Sequence, residues 1–334
     1  MTQNLSDIQL EPSFAPFLFT EGNLGIPYKT LLRTYLHAVG IFKSVRSCIP
    51  TRPTSMAQQN PHLDPSLVRS LAASSSVVVV GNPCHQTALN ARKHLVRMDL
   101  LDLHTELRFT AALLSAERCV KQGELWYHRQ WLLRSACTTQ LSNATDAGSH
   151  CRLQLASREA LQQELELVSH ACEVYPRNYF AWTHRLTCIQ SLLSDYSNGT
   201  DAVGFVSIFR NEIKGLKRWI DRHVSDYSAI HTILALSQVA CQSRDAPLVE
   251  IVVEEDLLDH ATCLVQEYPI HESLWMYVRT AISIPCLQQA QKIQQFRDDF
   301  VRPLVHLHLE TGIKEGFVHP SQYARWFLER QGTL

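Results

Sequence analysis

The chain has 334 residues, 45% of them hydrophobic, enough to bury a large core as one extended domain or two compact ones. Lysine and arginine total 31 against 32 acidic residues, so no field over the whole molecule draws it to nucleic acid or anionic lipid, and any basic site must be local. Its ten cysteines form no C-x-x-C pair and several lie within apolar helical patterns, the usage expected of reduced, buried thiols in a cytosolic protein.

The first 30 residues carry acids and prolines without a basic stretch leading into an apolar one, so no signal peptide is expected. No apolar run approaches the ~20 residues of a membrane span, and a cytoplasmic location follows as the expectation. "YKTLLRTYLHAVGIF" predicts an amphipathic helix within an N-terminal cap of about residues 1–42. Residues 43–65 hold four prolines and few apolar side chains, which reads as a loop. "SSSVVVV" at 74–80 leans towards β structure and is assigned to the end of a helix.

From there the chain repeats itself. "GELWYHRQWLL" and "NYFAWTHRLTCI" both write Trp-x-His-Arg, as Trp126, His128, Arg129 and as Trp182, His184, Arg185. A catalytic motif is usually written once, so a second copy points first to repeated architecture. Weaker copies are "TALNARKHL", with Leu89 at the Trp position and Arg92 at the Arg position; "DYSAIHTILAL", with Ile230 followed by Thr232 and Ile233; and "HESLWMYVRTAI", with Trp275 followed by Tyr277 and Val278. A polar stretch at 138–156 lengthens the step from the second anchor to the third.

Before the later anchors, apolar residues are spaced by 4, 3 and 4: Leu161, Leu165, Val168, Cys172; Phe209, Ile213, Leu216, Ile220; Leu257, Ala261, Leu264, Tyr268. Two of these helices run into Tyr-Pro, at Tyr175-Pro176 and Tyr268-Pro269, where proline stops the hydrogen-bond ladder. Asn178, Asp226 and Glu272 stand ready to cap the helix that follows. Each unit is thus a helical hairpin. The expected fold is all-α: an alpha-alpha superhelix of five repeats over about 66–285, inside a single domain of 1–334 that closes with C-terminal helices at 286–334, "PSQYARWFLERQ" among them.

Helical spacing puts Trp126 on one face with Arg129 and Leu133, and Trp182 with Arg185 and Ile189, where the indole fills a wedge and the arginine forks onto carbonyls or a carboxylate. His128 and His184 point elsewhere, as groove polar groups or ligand contacts. A pair of histidines without nearby Asp, Glu or Cys ligands makes a poor metal site, and none is expected.

These units resemble the five-fold repeat of protein prenyltransferase alpha subunits, whose consensus is Lys-Asn-Tyr-x-x-Trp-x-His-Arg. The resemblance covers residues 67 to about 285, and Ser225-Asp226-Tyr227-Ser228 with the long spacer is most similar to the divergent alpha subunits of the third type of geranylgeranyltransferase. It implies a crescent of hairpins around a barrel-shaped beta subunit of the Rab-type enzyme. That beta subunit would hold the zinc and the isoprenoid pocket, so this chain would bind no cofactor of its own. Geranylgeranyl diphosphate would be co-substrate, and the acceptors would be proteins ending in cysteine. In this family the lysine five residues before the second anchor contacts the diphosphate; here that is Lys121, followed by Gln122-Gly123 where Asn-Tyr is the pattern. The third repeat keeps Asn178-Tyr179 and has Arg177 at the lysine position. The resemblance therefore implies Lys121 and Tyr179 as catalytic, with Asn178, Arg177, His128 and His184 on the substrate. A basic stripe at Arg210, Lys214, Lys217, Arg218 and Arg222 reads as solvated or partner-facing. The competing readings are a noncatalytic helical-repeat scaffold, or a degenerate alpha subunit that binds a beta subunit without supporting transfer.

Overall fold

The computed structural model describes residues 16–20, 23–48, 64–140, 158–197, 202–287 and 290–304, together with His306, Gln322, Trp326 and Glu329. Most of the expected loops at 43–65 and 138–156, and most of "PSQYARWFLERQ", lie outside the described residues. The chain divides into two compact units, Met1–Ala136 and Cys137–Leu334, where sequence alone gave one repeat domain.

In the first unit, β1 (Leu18–Thr20) and β2 (Asn23–Gly25) pair antiparallel, the only sheet among the described residues. The helices α1 (Tyr28–Arg46), α2 (Pro65–Gly81), α3 (Gln86–Arg97), α4 (Leu103–Leu114), α5 (Glu117–Val120) and α6 (Gly123–Gln140) follow, the last crossing the boundary between units. Asp64 caps α2 by accepting from the Ser66 amide, with Pro65 in the first turn. The β-leaning "SSSVVVV" is helical throughout. Ser74, Ser75 and Ser76 satisfy their hydroxyls on carbonyls three or four residues back, while Val78 and Val79 are buried, and that packing outweighs the valines' strand preference.

The second unit contains α7 (Arg158–Val174), α8 (Tyr179–Ser197), α9 (Ala202–Arg222), α10 (Tyr227–Ser243), α11 (Ala246–Glu254), α12 (Leu257–Glu267), α13 (Glu272–Ser283) and α14 (Ala290–Phe296). The five repeats correspond to the hairpins α2/α3, α4/α6, α7/α8, α9/α10 and α12/α13. The helix ends fall where the Tyr-Pro pairs put them: α7 stops before Tyr175-Pro176 and α12 before Tyr268-Pro269. Asn178 and Asp226 cap as expected, accepting from the Ala181 amide and from the Ser228 and Ala229 amides. Glu272 does not; it is the first residue of α13, and His271 precedes it without a side-chain cap. The apolar stripes of α7 and α9 are buried in full. In α12 only Leu257, Ala261 and Leu264 are, because Tyr268 already stands in the turn.

Two further features depart from the sequence reading. Helix α11 is an extra element between the fourth and fifth hairpins, begun by Asp245 accepting from the Leu248 amide and by Pro247 in its first turn. The ten thiols are not all reduced: Cys241 of α10 and Cys286, in the 3-10 turn Pro285–Leu287, form a disulfide. Forty-five residues separate them in sequence, too far for a spacing motif to reveal, yet the fold sets their Cα atoms 6.4 Å apart, within bridging range.

Candidate functional site

The anchor tryptophans are core residues, and their indoles pin the turn that enters each second helix. Trp126 donates to the Val120 carbonyl at 2.7 Å and Trp275 to the Pro269 carbonyl at 2.8 Å, each six residues earlier. Trp182 reaches instead into the next hairpin, donating to the carboxylate of Asp226 at 3.2 Å, where the Trp219 indole donates to the same oxygen at 3.1 Å. Asp226 thus caps α10 and gathers two indoles, which pack edge to face with centroids 5.5 Å apart.

The rest of Trp-x-His-Arg is a buried electrostatic ladder. In the second repeat His128 meets Glu106 of α4 at 2.9 Å, and in the third His184 meets Glu164 of α7 at 2.9 Å. Each arginine binds the carbonyl one residue after that glutamate position: Arg129 that of Leu107, Arg185 that of Leu165, and Arg92 that of Ala72, after Leu71. The arginines also reach forward. Arg92 forks onto Glu106 in the second repeat, and Arg185 forks onto Glu212 in the fourth at 2.7 and 2.8 Å. One glutamate therefore joins its own histidine to the preceding repeat's arginine, a bidentate charge pair of the strong kind.

Where the motif decays, the ladder changes partner. In the fourth repeat Thr232 replaces the histidine and turns its hydroxyl onto the Ser228 carbonyl. Ile233 replaces the arginine, and the fifth repeat has Leu257 where Glu164 and Glu212 stand in the third and fourth; both are buried. In the fifth repeat Tyr277 sits at the histidine position, 3.2 Å from His260 Nδ1, and His260 Nε2 lies 2.7 Å from Asp221.

The expectation that His128 and His184 contact substrate is thereby corrected: both are fully buried against carboxylates. Helix α8 is covered on two sides, by α7 of its own hairpin and by α9 of the next, so a residue turned away from the tryptophan face still points into the core. Asn178 is likewise a buried cap rather than a ligand contact. Glu106, Glu164 and Glu212 were missed, although the last two share one offset, eighteen residues before Trp182 and Ile230.

Protonation of the ladder acts in one direction. Burial by itself would raise the Glu106 carboxyl, but hydrogen bonds from His128 and Arg92 and the Arg92 charge hold it below its ordinary 4.5. Burial pushes His128 below 6.5 despite the pull of Glu106, and its buried Nδ1 has no hydrogen-bond partner, which suits a neutral ring giving Nε2–H to the carboxylate. Both folded values lie under the unfolded ones, so the stabilisation is complete above the unfolded pKa and is lost as pH falls. His260, lowered chiefly by burial, adds to the same trend. Urea unfolding should give a midpoint that is flat from about pH 7 to 8 and falls once pH drops below about 6.5. A midpoint that rises between pH 7 and 5.5 would contradict this assignment.

The exposed turns that enter the second helices carry a different set. Lys121 ends α5 at the surface. At the same place in the third repeat, five residues before the anchor, Arg177 is exposed and left-handed, with φ of 59°. Tyr179 opens α8 with 62% of its surface accessible. Tyr227 opens α10 in the same way at 43%, its hydroxyl donating to Glu272 at 2.9 Å. Sequence reading passed over Tyr227, yet the signal was present: a capping Asp followed by Tyr, three residues before the anchor, as in Asn178-Tyr179. The basic stripe on α9 divides. Arg210 pairs with Glu254, and Lys214 and Lys217 with Glu255, so α11 neutralises that half, while Arg218 and Arg222 line a groove with Trp182 and Trp219. Among the described residues no group of three or more His, Cys, Asp or Glu side chains could hold a metal ion, and no helix is long and apolar enough to cross a membrane.

Residues 161–192, which span most of α7, the turn and most of α8, match the protein prenyltransferase alpha subunit repeat. The chain is 27% identical over 243 residues to protein prenyltransferase alpha subunit repeat-containing protein 1 of Danio rerio, covering 63% of this chain and 54% of the relative. The Homo sapiens protein of that name is 28% identical over 232 residues, covering 59% and 55%, and the Xenopus laevis protein 1-B is 28% identical over 202 residues, covering 58% and 43%. The chain spans about half the length of the curated relatives it matches. The third hairpin thus matches the protein prenyltransferase alpha subunit repeat, and the chain is similar to the alpha subunit repeat-containing proteins.

Proposed function

We propose that this chain is the alpha subunit of a heterodimeric protein prenyltransferase, inactive without its beta subunit, that supports transfer of a geranylgeranyl group to C-terminal cysteine thiols. The reading assigns it a beta subunit of the Rab-type enzyme and a cytoplasmic location. The observation that carries it is exposure at equivalent repeat positions, Lys121 and Arg177 at one and Tyr179 and Tyr227 at another, on a chain that matches the alpha subunit repeat. As the thiolate sulfur bonds to the prenyl carbon and the carbon–oxygen bond breaks, negative charge gathers on the departing diphosphate. Fixed cations and hydroxyl donors at that place lower the barrier. In this reading Lys121 supplies the charge and Tyr179 the donor, while zinc on the beta subunit would activate the thiol.

Loss of His and Arg in the fourth and fifth repeats does not count against competence, because those positions belong to the buried ladder. Gly123, where the family has tyrosine, is what favours the second reading of a beta-binding subunit that no longer supports transfer. Assembly with a beta subunit and assay of lipid transfer separate the two. Lys121→Ala should lower the rate about ten- to a hundredfold with complex formation intact, since an exposed cation serves the transition state rather than the interface. Transfer at the wild-type rate by that variant would remove Lys121 from the diphosphate site. An assembled but inactive complex would establish the degenerate subunit, and failure to retain any beta subunit would leave the scaffold.

A further inference from the structure

The first hairpin departs from the ladder in a way that opens a cavity. Where the next two repeats place histidine it has Ala91, and at their glutamate position it has Leu71. These two form part of the lining of a pocket of about 280 Å³ whose other walls are Thr87, Asn90, His94 and Arg97 of α3 and Arg46 of α1. The lining holds two permanent cations and a titratable histidine, and no carboxylate.

We propose that this pocket in the first repeat binds a phosphoryl group, with the Arg46 and Arg97 guanidiniums as its forks and Asn90 and Thr87 as neutral donors. Both arginines are exposed, and neither is ion-paired among the described residues. The cations come from two different helices and converge on one cavity, which a merely solvated charge does not require. Arg46 and Arg97 do stand in the last turns of α1 and α3, where the helix ends carry about half a negative charge each, but two full guanidinium charges exceed that and leave the pocket positive. Trp131 holds the approach in place: the Arg97 guanidinium lies 5.0 Å from its ring centroid and the Lys93 ammonium 5.7 Å. Lys93, just outside the lining, is pushed down chiefly by burial and further by the Arg97 charge. Planar, weakly hydrated guanidiniums suit phosphate oxygens in bidentate geometry. The volume is at the small end for a ligand site, right for a phosphate and its immediate substituent.

The site shares no residue with the turn around Lys121, so it stands or falls apart from the transferase reading. Isothermal titration of the full chain at fixed ionic strength, with inorganic phosphate and with a phosphoserine peptide, tests it. One saturable site is expected, weakened at least tenfold by Asn90→Asp, which adds a carboxylate at an exposed position without removing packing, and by the double change Arg46→Ala with Arg97→Ala. Lys121→Ala should leave it unchanged. Saturation by free phosphate supports a small phosphorylated ligand, and saturation by the peptide alone supports a phosphorylated protein segment. Should the double variant fail to fold, protection of Arg46 and Arg97 from phenylglyoxal by phosphate in the wild-type chain reads the same contact. Absence of saturable binding by both probes, wild-type affinity in Asn90→Asp, or loss of binding in Lys121→Ala would overturn the proposal.

Discussion

Replacing Trp182 by alanine is expected to destabilise the second unit by about 3–5 kcal/mol, the range for a large buried aromatic whose space is only partly refilled. The side chain is 3% exposed, packs edge to face on Trp219, lies under the Arg185 guanidinium and gives its N–H to Asp226. Asp226 would keep the Trp219 indole and the two capping amides, so the loss is mainly a cavity and not an orphaned carboxylate. Trp182→Phe, which keeps a ring and drops the N–H, should cost less. Urea denaturation followed by circular dichroism measures both, and a loss below about 1 kcal/mol for the alanine variant would show that the anchor does not carry the packing assigned to it.

The second large effect is expected at Glu106. Its carboxylate is fully buried and receives the Arg92 guanidinium and His128, so Glu106→Ala strands a cation that is itself 3% exposed. Breaking a buried pair from one side costs about 3–5 kcal/mol. Removing both partners should cost much less, and the chain supplies the precedent, since Ile233 and Leu257 occupy the corresponding arginine and glutamate positions of the fourth and fifth repeats and are buried without charge. A cycle of Arg92→Ile, Glu106→Leu and the double variant should give a coupling of about 2–3 kcal/mol. Strict additivity would mean that the bridge contributes nothing of its own.

The hairpins, their anchors and two of the three caps were legible because they rest on local rules: 3.6-residue periodicity, proline as a stop, Asn or Asp before a helix. The partners of the motif were not. Glu106, Glu164 and Glu212 look like solvent-facing charges on amphipathic helices, and only the packing of helix on helix turns them inward. For the same reason His128 and His184 read as candidates for a ligand when they are core residues. Helix α11 was missed because "PLVEIVVE" is short and nearly continuous in its apolar residues, a pattern that does not separate a buried helix from a strand. The exposed residues Lys121, Arg177 and Tyr179 were placed by family likeness, since an exposed side chain leaves no periodic trace.

The forward reach of Arg92 and Arg185 also bears on how such a chain can be rearranged over evolutionary time. The first and third hairpins carry the donor and the second and fourth the receptor, so the two ends of a hairpin need not match. Excising the fourth hairpin would set the Arg185 guanidinium against Leu257 instead of Glu212, burying a charge on a hydrocarbon wall. Duplicating the fourth would set Ile233 against Glu212 and bury a carboxylate with no cation. The modules look interchangeable in outline but are keyed in order, so gain or loss of whole units in this lineage requires a compensating substitution at the new junction.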